Sequence, residues 1–203
     1  MLRKSSLPKS DTRLIQIVDK ALAENSAKCG AWLACRPGCC QCCIGVFAIS
    51  QLDAARLREG LARLGATDLP LATAVRKRAK DSRQRLKPEF PGNPQTGSLS
   101  ADDDVFDDFG NDEPCPALDP TTGLCDLYES RPMTCRDFGP PVRSEGGLGV
   151  CELCFQGAPE KHIAACELVA DPDDLESRVT REYEEKSGRR GSTIVAWALT
   201  DPA

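Results

Sequence analysis

Five cysteines, Cys35, Cys39, Cys40, Cys42 and Cys43, fall within the nine residues CRPGCCQCC. Adjacent Cα atoms stand about 3.8 Å apart, below the usual disulfide range of roughly 4.4–6.8 Å, so Cys39–Cys40 and Cys42–Cys43 cannot comfortably bridge to each other. Either each thiol reaches a distant partner, or several converge on something other than sulfur. Cys39-x2-Cys42, Cys40-x2-Cys43 and Cys151-x2-Cys154 share the knuckle spacing in which a tight turn points two thiolates at one ion. Thiolates are soft donors that select zinc, copper(I) or iron–sulfur clusters over magnesium or calcium. With His162 the single histidine, mixed Cys/His sites are nearly excluded. One tetrahedral zinc takes four ligands, and more thiols than that sit in loop-like contexts. The surplus argues for two mononuclear sites, or for a cluster plus spare thiols.

Other readings stand beside these. Cys151 and Cys154 could be a redox dithiol, although no βαβ context precedes them. Cys166 shares an apolar helix face with Ile163 and reads as core. Cys29 has no partner by spacing, and His162 reads as a surface residue. Arg131 and Arg136 flank Cys135, where cations would favour its thiolate, or they are ordinary surface charge.

The chain has 203 residues and twelve cysteines, enough for one domain over residues 1–203. Aromatics supply 5% of it, a thin allowance for a core, and a metal is the obvious supplement. No apolar run follows the basic start MLRKSSLPKS, and IVAWAL is too short to span a bilayer. This predicts a cytoplasmic protein with no membrane partner, where clustered cysteines bind metal or do redox chemistry more often than they form disulfides. A net charge of -5 gives no global reason to expect nucleic acid. Seven basic residues lie between Arg76 and Lys87 and seven acidic ones between Asp102 and Glu113. No aromatics interleave the basic run, which disfavours base stacking. The run reads as a solvated helix face, a pairing with the chain's own acids, or a docking face for a protein partner.

The elements that position the cysteines can be read in outline. Leu14, Ile17, Val18, Ala21 and Leu22 predict a helix over residues 11–28, with Asp11 as N-cap. Ser50-Gln51-Leu52-Asp53 resembles a capping box, and Leu57, Leu61 and Leu64 predict the second helix, ending at Gly65. A third spans residues 67–87. Residues 88–114 lose all periodicity and are expected to form a mobile acidic loop. A hairpin is expected around Gly146-Gly147, helices over 159–170 and 172–186, and a strand over 192–199.

CRPGCCQCC, PCPAL (114–118) and CDLYESRPMTCRDFG (125–139) together resemble the YkgJ-type CxxCxxCC cysteine-cluster family, described as zinc- or iron-chelating proteins. The resemblance implies ligation by Cys35, Cys39, Cys42, Cys43, Cys115, Cys125 and Cys135. The spacing adds Cys151 and Cys154. Two departures stand out: the first gap is x3 rather than x2, and Cys40 is extra, so Cys39 and Cys40 could exchange roles. Relatives in that family include flagellin lysine methylases holding an iron–sulfur cluster, which favours a cluster, 4Fe–4S among the options, over zinc. The expectation is therefore a mainly α, loop-rich fold with small β elements, organised by cysteine-bound metal and working as a metal-chelating or metal-handling protein. A methyltransferase- or redox-type enzyme and a zinc-stapled interaction module remain alternatives.

Overall fold

The computed structural model describes residues 5–100, 108–144 and 147–201. Its frame is helical. α1 (Lys9–Cys29) buries Leu14 and Val18, α2 (Gln51–Thr67) buries Leu52, Leu57 and Leu61, and α3 (Leu69–Leu86) buries Ala72, Val75 and Ala79. Ser50 caps α2 as the sequence predicts, its hydroxyl accepting the Asp53 N–H at 3.0 Å. Pro8, not Asp11, precedes α1. Asp11 lies inside the first turn, where the apolar face carries it down to Arg56: its carboxylate accepts bonds of 2.8 and 2.6 Å from that guanidinium. Arg56 also reaches Asp53 at 2.6 Å. All three side chains are buried, so removing one partner would strand a charge, at a cost of about 3–5 kcal/mol.

Short elements dress this frame. β1 (Ile49–Ser50) pairs antiparallel with β6 (Ser192–Thr193), β2 (Gly92–Asn93) with β3 (Ser98–Leu99), and β4 (Val142–Ser144) with β5 (Gly147–Gly149). The helices α4 (Met133–Asp137), α5 (Glu160–Ala165), α6 (Leu175–Ser187) and α7 (Val195–Ala198) complete the order. α6 closes on Gly188 in left-handed backbone, as expected. The helix expected over 159–170 stops at Ala165, where Cys166 turns inward and Leu168 donates its N–H to Pro141 O.

The strand expected over 192–199 is corrected. Only Ser192 and Thr193 pair; α7 follows, with Ile194 to Leu199 all buried. β-branched residues favour a strand only where a partner edge is free. Here Ser50 ends the partner strand by capping α2, and a helical turn satisfies the buried backbone instead. The flanks of the 88–114 segment are ordered against α7: Phe90 meets Trp197 at 4.2 Å between ring centroids and Phe109 edge-on at 6.0 Å. A Cβ on Gly97 would stand 2.2 Å from Trp197 Cδ1, so only glycine admits the hairpin there. Residues 101–107 of the acidic run lie outside the described residues.

Candidate metal centre

Three backbone devices bring one group of thiols together. The Cys43 carbonyl accepts the Cys115 N–H at 2.7 Å and Glu113 O accepts the Gly45 N–H at 3.0 Å, so the first cysteine loop pairs with residues 110–115. Next, 117–126 folds as a tight hairpin, Asp126 N–H to Ala117 O at 2.8 Å, with Asp119 accepting the Thr121 N–H and the Thr122 hydroxyl across its tip. Arg78 of α3 pins this hairpin through Pro116 O and the Asp126 carboxylate. Finally, the Met133 N–H donates to Asp53 Oδ1 at 3.1 Å, fixing α4 and its Cys135 over the start of α2. The N-cap network of α2 thus reaches the cysteine region directly.

The thiols of Cys42, Cys43, Cys115, Cys125 and Cys135 consequently act on one another electrostatically. Cys42 accepts a hydrogen bond from the Cys43 thiol; that bond, its own N–H and the Arg131 charge outweigh burial and lower it to about 6. Cys43 is driven up correspondingly. Burial pushes Cys115 up to about 12 and raises Cys125 and Cys135, with neighbouring thiol charges adding to it. Such a set can ionise together only if a cation enters it. Backbone N–H groups already point at its sulfurs, from Ala117 and Leu118 to Cys115 and from Leu127 to Cys125. Of the two arginines, Arg131 faces the thiols, while buried Arg136 is spent on Asp19 and on the carbonyls of Glu129 and Arg131.

Cys35, Cys39, Cys151 and Cys154 gather elsewhere. The Cys35 thiol is hydrogen-bonded with Cys154 and feels Cys39 and Cys151; Cys151 is hydrogen-bonded with Cys154 and feels Cys39. Although Cys35 is partly exposed, its Sγ nestles against Gly139, where a Cβ would stand 2.5 Å from it; burial and Cys154 push its thiol up to about 12. The Ala34 N–H donates to Cys154 Sγ at 3.4 Å and the Leu153 N–H to Cys151. Cys40 contributes its carbonyl, which accepts the Cys43 N–H at 2.8 Å. Among the described residues no three Cys, His, Asp or Glu side chains already aim at one ion position. The backbones are gathered, whereas the thiols sit in hydrogen-bonded pairs and would have to turn toward a shared ion.

A third meeting has no counterpart in the spacing. Cys29, at the end of α1, is hydrogen-bonded with Cys166 after α5, and Asn25 holds Cys166 O at 2.8 Å. Burial, then the bond to Cys166, pushes Cys29 up to about 12. His162 is half-buried rather than a surface residue, with its ring 5.5 Å from Trp32 and 6.4 Å from Phe155. No sequence period links residues 29 and 166; the helix-face position of Cys166 was the one available hint. The basic run of α3 is largely taken up inside the chain. Arg85 forks onto Glu113, Arg78 holds Asp126, and Arg83 lies over the Trp197 ring. No helix among the described residues is long and apolar enough to cross a membrane.

A family model described as "CxxCxxCC: Putative zinc- or iron-chelating domain" matches residues 34–154. No curated protein and no solved structure matches the chain.

Proposed function

Because the chain belongs to the CxxCxxCC family of zinc- or iron-chelating domains, we propose that it is a metal-chelating protein whose centre is held by thiolates of Cys42, Cys43, Cys115, Cys125 and Cys135. The observation that carries this reading is the gathering of five thiols from three separate segments, with backbone N–H groups aimed at two of them. Thiolate ligands in metal sites are tuned by such hydrogen bonds, and their cost in the apo protein is repaid when a cation arrives. Arg131 supplies a further positive charge beside Cys42 and Cys125.

Five donors exceed the four that one zinc takes, and we assign the set to an iron–sulfur cluster of 4Fe–4S type, with zinc as the competing occupant. A bound cluster would supply electron transfer or a structural brace; the chain's residues would orient it and exclude water. The cavity beside Cys115, lined by Glu113, Pro116 and Ile194, is about 20 Å³, room for one water and not for a substrate. That favours chelation over catalysis at this face. The site would operate in a reducing compartment such as the cytoplasm, where thiols stay free.

Anaerobic purification followed by metal analysis and visible absorption tests the proposal. Brown protein with iron and acid-labile sulfide supports the cluster, and colourless protein with zinc supports the alternative. Folded protein lacking any metal, with every thiol reactive, refutes both.

A further inference from the structure

The Cys35, Cys39, Cys151 and Cys154 thiols are a separate group by geometry, although two of them belong to the cysteine run that the family signature treats as one. The thiols that act on Cys35 are Cys154, Cys39 and Cys151. Those that act on Cys135 are Cys115, Cys42 and Cys125. The break falls inside the run, between Cys39 and Cys42, where the chain enters a short 3-10 turn at Gln41–Cys43. We infer that Cys35, Cys39, Cys151 and Cys154 form a second metal site, a closed four-thiolate site for one zinc ion. This rests on the reading of the chain as a thiolate chelator but assigns different residues.

The donor set suits that ion. Structural zinc sites are tetrahedral and closed, and four thiolates saturate them. Two knuckle-like pairs supply the donors here, Cys35-x3-Cys39 from one loop and Cys151-x2-Cys154 from the other. The second pair is built around an unusual backbone. Cys154 donates its N–H to Cys151 O at 2.8 Å, and Phe155, immediately after, adopts φ 56°. Left-handed backbone is costly for a bulky residue and persists only where its surroundings require it. The Phe155 N–H is then delivered to Trp32 O at 2.8 Å, which ties the 151–155 turn to the segment leading into Cys35. Gly139 supplies the close approach that lets Cys35 Sγ tuck in.

The surroundings are apolar. Phe155, Leu33, Ala34 and Ile163 pack with Cys151 and Cys154, leaving little room for solvent beside the two buried thiols. Residues 139–158 contain one short hairpin and no helix. A zinc cross-link from 151–154 to 35–39 would give this stretch a reason to hold its shape. A redox dithiol at Cys151 and Cys154 would need neither Cys35 nor Cys39 beside it.

The test compares metal content and cobalt(II) absorption in the full chain, purified anaerobically, for wild type, Cys154→Ser, Cys39→Ser and Cys125→Ser. Cys39 is only half-buried, so its variant guards against a folding failure at Cys154. Cys154→Ser and Cys39→Ser should each lose one zinc, with the matching thiolate–cobalt band, and keep the metal that Cys125→Ser loses. Cys125→Ser should show the reverse. Metal in the wild type that survives both Cys39→Ser and Cys154→Ser overturns the second site alone. Loss of all metal in every variant means a single shared centre and overturns it too, as does loss of iron in place of zinc at Cys154→Ser. A wild-type chain without metal overturns the parent reading and this one with it.

Discussion

At the residue scale, Cys39 and Cys40 show what spacing can and cannot decide. The x3 gap after Cys35 leaves either free to complete a knuckle, and only the fold separates them: Cys39 lies with Cys35 and Cys151, while Cys40 uses its carbonyl to close the turn onto the Cys43 N–H. Cys40→Ser keeps that carbonyl. It should therefore retain the wild-type metal content, whereas Cys39→Ser should lose part of it, since a hydroxyl is a poor substitute for a soft thiolate. Elemental analysis of the two variants side by side checks this, and metal loss in Cys40→Ser would show that the ligand assignment is wrong. All nine candidate ligands were legible as cysteines in loops. Their division into two groups was not, because it depends on which loop pairs with residues 110–115 and which with 139–155. The Cys29–Cys166 meeting was invisible for the same reason, since its partners are brought together by the packing of α1 against the end of α5.

At the element scale, the helices that carry strong apolar stripes matched their sequence signals, and the segments that failed were those where tertiary context outweighs propensity. The 192–199 run is one, and Gly60 is another. In the sequence Gly60 is an unremarked glycine inside a helix, where alanine is ordinarily better by about 1 kcal/mol. In the fold a Cβ there would stand 2.2 Å from Ser130 Oγ and 2.5 Å from Ser130 Cβ, because the 128–130 turn, between Cys125 and Cys135, rests directly on α2. Gly60→Ala should thus reverse the usual sign and destabilise by about 1–3 kcal/mol, the cost of overpacking. Adding Ser130→Gly, which removes the colliding atoms, should recover part of the loss. Thermal unfolding of the two single variants and the double variant, at fixed metal loading, measures this coupling. Additive effects would mean that the close approach is not the cause.

At the scale of the whole molecule, two dependencies act from different sides of the fold. Glu176, in the first turn of α6, is raised from 4.5 to about 7 by burial, with Asp53, Asp137 and Asp171 adding to the shift and Arg56 opposing it. A carboxyl with a raised folded pKa contributes stability that is fully present below its unfolded value and is lost as pH rises through the folded one. The contribution of Glu176 should therefore vanish between about pH 4.5 and pH 7. At pH 7.5, Glu176→Gln should be more stable than wild type by on the order of 2 kcal/mol, after discounting for partial exposure. The difference should shrink toward pH 4.5, and denaturant unfolding at matched metal content reads it; a pH-independent difference would remove Glu176 as the source. Metal acts on the other side. Helices α1–α3, α6 and α7 bury their stripes against one another in two clusters whose buried members include no cysteine, whereas 33–46 and 139–155 contribute few apolar contacts outside the thiols themselves. If metal orders those loops, its binding energy is folding energy there, on the order of 10 kcal/mol for a structural zinc. Chelation should then leave the helical circular dichroism nearly intact while opening 33–46 and 139–155 to limited proteolysis. Cleavage should concentrate there, with the thermal transition lowered and broadened. If complete metal removal changes neither the cleavage pattern nor the transition, the loops are held by the protein alone, and the thiol sets are passengers on a fold that does not need them.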